Sequence, residues 1–192
     1  MAYVKINVLK PSDNKGTGGN KKDKIILFDM DDLLNFPDRD ANGVLITDNL
    51  VFKANAYMIT LFATITSIVG GNSSEGDLDA EGFVQSLSFD HPGSSKEIRE
   101  FNLNWLPKNI GALVQKCGES SFDLYGSLCA PLRLTSKWED TKDKNVHNFT
   151  FKSMKSSFSS SIYHGAIIVV GFLLDEFGNP LLDQNGEPLL DN

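Results

Sequence analysis

The chain has 192 residues, of which 41% are hydrophobic and 22% charged, and its formal net charge is −7. This length favours one domain with a substantial core, and the negative charge argues against tight nucleic-acid binding, which needs a basic surface. Cys117 and Cys129 are too few for a disulfide framework. The first ten residues lack the apolar region of a signal peptide, and no apolar run reaches the ~18 residues of a membrane span. We therefore expect a soluble product made in the cytoplasm.

The amino-terminal part predicts two strands around a basic loop. Residues 3–9 alternate between apolar and polar side chains, which is typical of a half-buried strand. Residues 10–24 carry five lysines and no large apolar side chain, so we expect a solvated loop, or an arm that docks on an acidic neighbour. Residues 25–28, IILF, predict a short apolar strand.

The four residues that directly follow this strand, Asp29 to Asp32, resemble the first motif of haloacid-dehalogenase phosphohydrolases. The resemblance would make Asp29 the nucleophile and Asp31 the general acid. The small and hydroxyl residues that continue the family motif are absent, and the chain lacks the helical patterns that alternate with strands in a parallel α/β sheet. We therefore predict that the protein is not an enzyme.

Two further acidic segments, 38–43 and 77–82, match the first half of a calcium-binding loop. The closing bidentate Glu of such a loop is replaced by Asn49 and Ser88, respectively. Side-chain-capped turns are the simpler interpretation. The three histidines form no catalytic or metal-binding pattern, so we predict neither a cofactor nor a metal.

The middle of the chain predicts a long β-hairpin. Short strands are expected at 44–46 and 50–52. Residues 56–69 then alternate over about fourteen positions, which is long for one strand against a usual length of ~5–6. A polar tip over 70–81 leads to a returning strand at 82–89.

A helix over about 95–106 follows the turn at Pro92 and Gly93. Ile98, Phe101 and Trp105 recur at helical spacing and should pack on the sheet, with Leu106 a quarter turn away. Residues 111–114 continue the apolar face. Strands are predicted at 121–128, 130–138 and 146–152, the last two as an antiparallel hairpin. A final strand region is predicted at 162–174, broken at Gly165 and Gly171. From residue 173 the octad LLDxxGxP repeats, which predicts an exposed acidic tail over 173–192 outside a domain of residues 1–172.

Together these patterns predict a mainly β protein, an antiparallel sandwich or barrel with one packed helix and a long β-hairpin. This element order, with the segments EGFVQSLSFDHPG and GSLCAPLRLTSKW, resembles the tail tube proteins of tailed bacteriophages, whose fold is shared with the type VI secretion tube protein. The resemblance implies a virion protein, made in the host cytoplasm, that forms stacked hexameric rings. The inner strands of the rings form a continuous barrel through which DNA passes without specific binding. The implied partners are further copies of the chain and other tail proteins.

In such a ring the hairpin contributes to subunit contacts and to the lumen. The candidate contact residues are Tyr57, Phe62, Gly70, Gly71, Glu75, Asp77 and Asp79. The candidate lumen residues are Thr60, Thr64, Thr66, Ser86 and Ser88. Two alternatives remain open: another head or tail structural protein, and a β-sandwich surface binding module.

Overall fold

The computed structural model describes residues 19–79, 81–155 and 157–168, and the backbone of 171–172 and 190–191. The predicted strand at 3–9, most of the lysine-rich loop and the interior of the octad segment lie outside these residues. The described residues form fourteen strands and one α-helix. The strands are β1 (Lys21–Asp29), β2 (Leu33–Asn35), β3 (Leu45–Ile46), β4 (Val51–Phe52), β5 (Ile59–Phe62), β6 (Val69–Glu75), β7 (Gly82–Pro92), β8 (Ile110–Lys116), β9 (Phe122–Tyr125), β10 (Leu132–Asp140), β11 (Asn145–Ser153), β12 (Ser161–Tyr163), β13 (Gly171–Phe172) and β14 (Leu190–Asp191). The helix, α1, is Lys96–Trp105.

Ten of these strands form one large mixed sheet, which bends into two halves. We call the half with strand order β5-β1-β8-β9-β12-β3 the covered sheet, and the half with order β10-β11-β7-β6 the open sheet. The two halves are joined where Ile110 of β8 pairs with Leu132 of β10. Only β3 and β12 pair in parallel among the described strands of this sheet. The protein is therefore a β-sandwich with one helix, as the sequence predicts.

The main core lies between the two halves. Its buried residues come from both sheets and from α1: Ile25, Leu27, Leu61, Ala63, Ile68, Leu87, Phe89, Ile98, Ile110, Ala112, Val114, Tyr125, Leu132, Leu134, Phe149 and Phe151. From α1, Ile98 is fully buried, while Phe101 and Trp105 are half-buried and pack against the cluster. Phe101 stacks on Trp105 and meets Phe149 edge to face. The helix thus closes one side of the sandwich. Leu106 is exposed, because it lies beyond this contact stripe.

A second core covers the other face of the covered sheet. It contains Ile26, Phe28, Met30, Ile46, Leu50, Met58, Leu113, Leu124 and Tyr163. Successive residues of β1 point to opposite faces, so Ile25 and Leu27 enter the main core while Ile26 and Phe28 enter the second. This double burial explains why the strand is a continuous apolar run.

The prediction of one long strand over 56–69 is wrong. The chain forms β5, a 3-10 turn at Ile65–Ser67, and then β6. At the turn, the Ser67 hydroxyl donates to the Thr64 carbonyl at 2.7 Å and accepts from the Asp90 N–H at 2.8 Å. These bonds make a corner, so β5 belongs to the covered sheet and β6 to the open sheet.

The prediction of an extended polar loop over 70–81 is also wrong in its first half, because Gly70 to Glu75 are part of β6. The strand has little apolar character, and pairing with β7 imposes its conformation. A Cβ at Gly70 would lie 2.5 Å from the Tyr125 hydroxyl, so only glycine admits that side chain here. Burial raises the pKa of Tyr125 to about 12, which keeps this phenol neutral.

Two other boundaries differ from the prediction. Residues 111–114 belong to β8, a central strand, rather than to a continuation of the helical face. A short apolar run buried on both sides is compatible with either structure, and periodicity cannot separate them. Lys21–Lys24, predicted as the end of the loop, already belong to β1. β13, which precedes the octad segment, pairs antiparallel with β14 near the end of that segment.

Candidate assembly surface

The open sheet carries a polar surface on the face turned away from the main core. Along β11, Phe149 and Phe151 point into the core, so Thr150 and Lys152 point outward. The register continues this surface across the sheet: Thr135 and Ser88 flank Thr150, and Arg133 and Ser86 flank Lys152. The result is a sheet face whose central positions are mainly hydroxyl-bearing side chains.

Charges on this face are balanced rather than acidic. Its bases are Arg133, Lys137 and Lys152, and its acids are Glu75, Asp90 and Glu139. Lys137 and Lys144 donate hydrogen bonds to Glu139 and lower the pKa of that carboxyl to about 2, so it stays ionised. The face as a whole therefore has no basic excess with which to hold a polyanion.

β6 forms one edge of the open sheet, and no described strand pairs with its outer side. The orientation of the N–H and C=O groups of β6 can be inferred from the hydrogen bonds of its neighbour β7. Phe83 exchanges two backbone hydrogen bonds with Ser157, of 2.8 and 2.9 Å, on the side away from β6. Ser74, which lies opposite Phe83, is therefore in a non-hydrogen-bonded pair, and its own N–H and C=O point to the outer edge.

β10 forms the opposite edge. Beyond Leu132, no described strand pairs with its outer side. Arg133 donates to the carbonyl of Pro107 at 2.5 Å, and Arg99 of α1 lies 4.9 Å from the ring centre of Trp138. Because all neighbouring pairs in this sheet are antiparallel and there are four strands, β10 and β6 run in opposite directions.

The structure divides the predicted lumen residues between several surfaces. Ser86 and Ser88 lie on the outer face of the open sheet. Thr60 pairs with Ile26 and faces the second-core side of the covered sheet. Thr64 and Thr66 lie at the corner that joins the sheets. The predicted single face is therefore wrong, because the chain turns between β5 and β6. Thr135 and Thr150, which the sequence analysis did not select, lie in one row with Ser88 on this face. The alternating pattern of their strands could have indicated that they face outward. Their alignment with β7 could not be predicted, because it depends on pairing between strands distant in sequence.

The predicted contact residues are also dispersed. Gly71 and Glu75 lie in the edge strand β6, while Gly70 faces the core beside Tyr125. Asp77 and Asp79 are exposed in the tip that joins β6 to β7. The two remaining residues, Tyr57 and Phe62, are exposed in or next to β5, away from the tip.

The acidic segment that resembles a phosphohydrolase motif has a structural role. Asp29 is buried, accepts a 3.0 Å hydrogen bond from the Asp31 N–H, and accepts a second from Lys108 at 2.5 Å. This bond raises the pKa of Lys108, so its ammonium group stays charged. The Asn109 amide holds Asp31 with two bonds of 3.2 Å. β1, which carries Asp29, pairs with antiparallel neighbours rather than lying in a parallel α/β sheet.

The calcium-like segment at 38–43 is a capped turn. The Asp40 carboxylate accepts bonds from the N–H groups of Val44 and Leu45, at 2.8 and 2.9 Å, and these bonds lower the pKa of Asp40. Gly43 has a φ of 75°, the left-handed conformation that glycine adopts without strain. In the described part of the chain, no group of three or more His, Cys, Asp and Glu side chains is arranged to hold a metal ion.

Among the described residues, no helix has the length and hydropathy that a membrane crossing requires. Comparison with protein-family models, curated protein sequences and solved structures gives no match.

Proposed function

We propose that the protein is a virion structural protein, the subunit of a phage tail tube, which self-assembles into stacked hexameric rings that conduct DNA. The observation that carries the proposal is the open sheet, which has a buried apolar face, a polar outer face and two edges, β6 and the part of β10 beyond Leu132, that no described strand covers. Such edges are pairing sites for another chain. The number six and the tail itself come from the resemblance to tail tube proteins.

The strand directions support ring closure. Copies related by rotation present β6 of one subunit to β10 of the next, and these two strands are antiparallel. Antiparallel pairing is the arrangement already used throughout the open sheet. A closed ring of such sheets leaves no lateral edge, which removes the tendency to aggregate.

The outer face suits the lining of a DNA conduit. Its middle carries Ser86, Ser88, Thr135 and Thr150, and its charges balance. A surface without basic excess releases few counterions on contact with DNA and so binds it weakly. The acids of the hairpin tip add repulsion at one end of the strands. DNA would therefore pass without being held.

The proposal is tested by electron microscopy of the purified protein together with an edge variant. Ser74→Pro removes an outward N–H from β6 without removing a bond to β7, so we expect a folded monomer. The wild type should form rings or tubes. Ser74→Ala, which keeps the N–H, is the matched control and should assemble normally.

The outcomes separate the candidate functions. A wild type that stays monomeric at all concentrations overturns the proposal and favours a surface binding module. If the wild type assembles and Ser74→Pro assembles equally well, β6 is not part of the contact, and another head or tail structural role is favoured. Circular dichroism and a thermal melt of Ser74→Pro establish that the variant is folded.

A further inference from the structure

We infer that β6 of one copy pairs with β10 of the next in a single register, in which Asn72 lies opposite Ser136 and Glu75 lies opposite Arg133. The inference deepens the proposed function and rests on it, because it assigns the residue pairs through which neighbouring subunits of a ring would join. The register follows from the direction of the backbone groups along both edges, from where each edge ends, and from the side chains that would meet.

The outer edge of β10 exposes the backbone groups of alternate residues. At the start of β11, the Gly93 N–H donates to the Asn145 carbonyl at 2.9 Å, so odd-numbered residues of β11 direct their backbone groups toward β7. Even-numbered residues of β11 therefore face β10 and bond to the odd-numbered residues opposite them. The N–H and C=O groups of Leu134, Ser136 and Trp138 consequently point to the outer edge.

The outer edge of β6 offers a matching set of backbone groups. Ser74 directs its N–H and C=O outward, and alternation along the strand gives the same direction to Asn72 and Gly70. Their side chains lie on the core side, where Gly70 meets Tyr125, and the outward-bonding residues of β10, such as Leu134, also carry their side chains on that side. Directly opposite residues of an antiparallel sheet share a face, so the two edges can pair without turning either sheet over.

The ends of the two strands select one register. Pairing Asn72 with Ser136 joins all seven residues of β6 to residues 133–139 of β10. A shift of two residues in one direction would place the end of β6 opposite Leu132, whose outer side already pairs with Ile110. The opposite shift would carry β6 past the end of β10. A shift of one residue would bring side chains of opposite faces together.

In this register Glu75 lies opposite Arg133. The Arg133 guanidinium donates to the carbonyls of Pro107 and Lys108 at 2.5 and 3.3 Å, and no carboxylate of the described residues forms a salt bridge with it. The Glu75 carboxylate is half-exposed and lies 3.9 Å from the Lys152 ammonium, beyond hydrogen-bond distance. Opposite charges on directly opposite residues of two strands attract. Each copy thus offers an acid on one edge and a base without an acidic partner on the other.

The same register places Gly70 opposite Trp138. Trp138 is 46% exposed, although its side chain lies on the core side of β10. Its Nε1–H donates to the Asn145 side-chain oxygen at 3.0 Å, which holds the indole in place. Because Gly70 has no side chain, the opposite strand leaves space for this ring, and an aromatic side chain that covers an edge glycine helps to fix the register of a sheet. The next copy would cover indole surface that the monomer exposes.

On the outer face, Ser73 lies opposite Thr135. Within one copy, Ser88, Thr150 and Thr135 form a row across the open sheet. Ser73 of the next copy would continue this row across the subunit boundary. The polar surface proposed to line the conduit would therefore pass from one subunit to the next without interruption.

The test is a disulfide between Ser73→Cys and Thr135→Cys, in a chain whose two cysteines are replaced by Cys117→Ser and Cys129→Ser. Both test positions are exposed, so the monomer should fold. They form a non-hydrogen-bonded pair in this register, the arrangement with the shorter Cβ separation that a disulfide needs. Within one copy they are three strand spacings apart, roughly 14 Å, so no disulfide can form there. We expect oxidation to produce a ladder of covalent multimers on a non-reducing gel.

Two control pairs place the thiols on the same face but out of register. Ser73→Cys with Lys137→Cys, and Ser73→Cys with Arg133→Cys, each join diagonal positions, whose separation of about 7–8 Å is too large for a disulfide. We expect these pairs to give about tenfold less multimer at equal protein concentration. Ser73→Cys and Thr135→Cys alone test whether two like edges pair with each other, and neither should give covalent dimers.

A charge exchange gives a second measurement. Glu75→Arg and Arg133→Glu each place like charges opposite each other, so each should raise the protein concentration needed for rings by about two- to fivefold. The double variant restores an opposite pair and should assemble at the wild-type concentration. Thermal melts of the three variants establish that each monomer is folded.

The outcomes distinguish the inference from the function on which it rests. If the wild type forms no rings or tubes, the proposed function is wrong. If rings form but a control pair crosslinks as well as the Ser73→Cys and Thr135→Cys pair, or no pair crosslinks, the register is wrong and the tail-tube proposal stands. Covalent dimers from Ser73→Cys alone would show that β6 pairs with β6, which also overturns the register.

Discussion

The covered sheet and the open sheet differ in how many faces they bury. In β1 and β8, residues 25–28 and 112–114 place their side chains alternately in the two cores, whereas β11 and β7 bury mainly alternate residues. A strand buried on both faces has no position left for contact with another molecule. The open sheet keeps about half of its positions available on its outer face. We therefore expect the covered sheet to contribute most of the stability of the monomer, and the proposed assembly would use the open sheet.

The largest expected effect is Phe28→Ala in the covered sheet. Phe28 is fully buried in the second core and meets the ring of Phe52 edge to face. Loss of a buried phenylalanine typically costs about 3–5 kcal/mol through lost transfer energy and the cavity left behind. Chemical denaturation measures this loss. Thr135→Ala on the outer face of the open sheet is the control, with an expected change within about 0.5 kcal/mol. Similar losses for both variants would contradict the division between the sheets.

Two glycines, one in each sheet, are expected to differ in how much an alanine substitution changes the stability of the monomer. A Cβ at Gly111 of the covered sheet would lie 2.2 Å from the Phe28 ring, whereas a Cβ at Gly71 of the open sheet has nothing within 4 Å. Gly111→Ala should therefore destabilise the monomer by about 1–3 kcal/mol through overpacking. Gly71→Ala should leave it unchanged or slightly more stable. Thermal melts of the two variants check the prediction, and equal melting temperatures would contradict it.

The elements that the sequence predicted well are those with local signals. The helix begins and ends close to the predicted limits, because its stripe of Ile98, Phe101 and Trp105 has the helical period. The β10–β11 hairpin follows from two alternating segments around a charged turn.

The elements that were mispredicted depend on contacts distant in sequence. β6 has a sequence typical of a loop, and its strand conformation comes from pairing with β7 and from the space that Gly70 leaves for Tyr125. The corner between β5 and β6 depends on Ser67 bonding to Asp90, a residue 23 positions away. The alternation of 56–69 continues through this corner, so no local pattern marks it.

The candidate surface was only partly predictable for the same reason. The sequence placed Ser86 and Ser88 on one strand face correctly by alternation. The prediction that Thr60 shares this face assumed that β5 and β7 lie in the same half of the sandwich, and they do not. The edge role of β10 was not predicted, because which strands end a sheet depends on the order of all its strands.

The open sheet also holds His147, the one buried side chain among the three histidines, all of which the structure describes, and we expect it to make stability depend on pH. His147 lies between the rings of Trp138 and Phe149, at centroid distances of 5.9 and 5.8 Å. Its Nδ1 is 3.1 Å from the Asn102 amide nitrogen of α1, and its Nε2 has no partner. Burial is the main cause that lowers the pKa of His147, with His91 and Arg99 adding repulsion.

The lowered pKa of His147 determines how the stability of the protein changes with pH. Below the ordinary histidine pKa of about 6.5 the unfolded chain takes up a proton that the folded chain resists, so the free energy of unfolding falls as pH falls. Protonation also turns the Nδ1 acceptor into an N–H donor, so the present hydrogen bond from the Asn102 amide nitrogen is lost. We expect the melting temperature to drop between pH 7.5 and 5.5. His147→Phe keeps the ring stack without a titrating group and should remove this part of the drop, since the carboxylates titrate equally in both proteins. Equal drops in wild type and variant would show that His147 does not link pH to the helix contact.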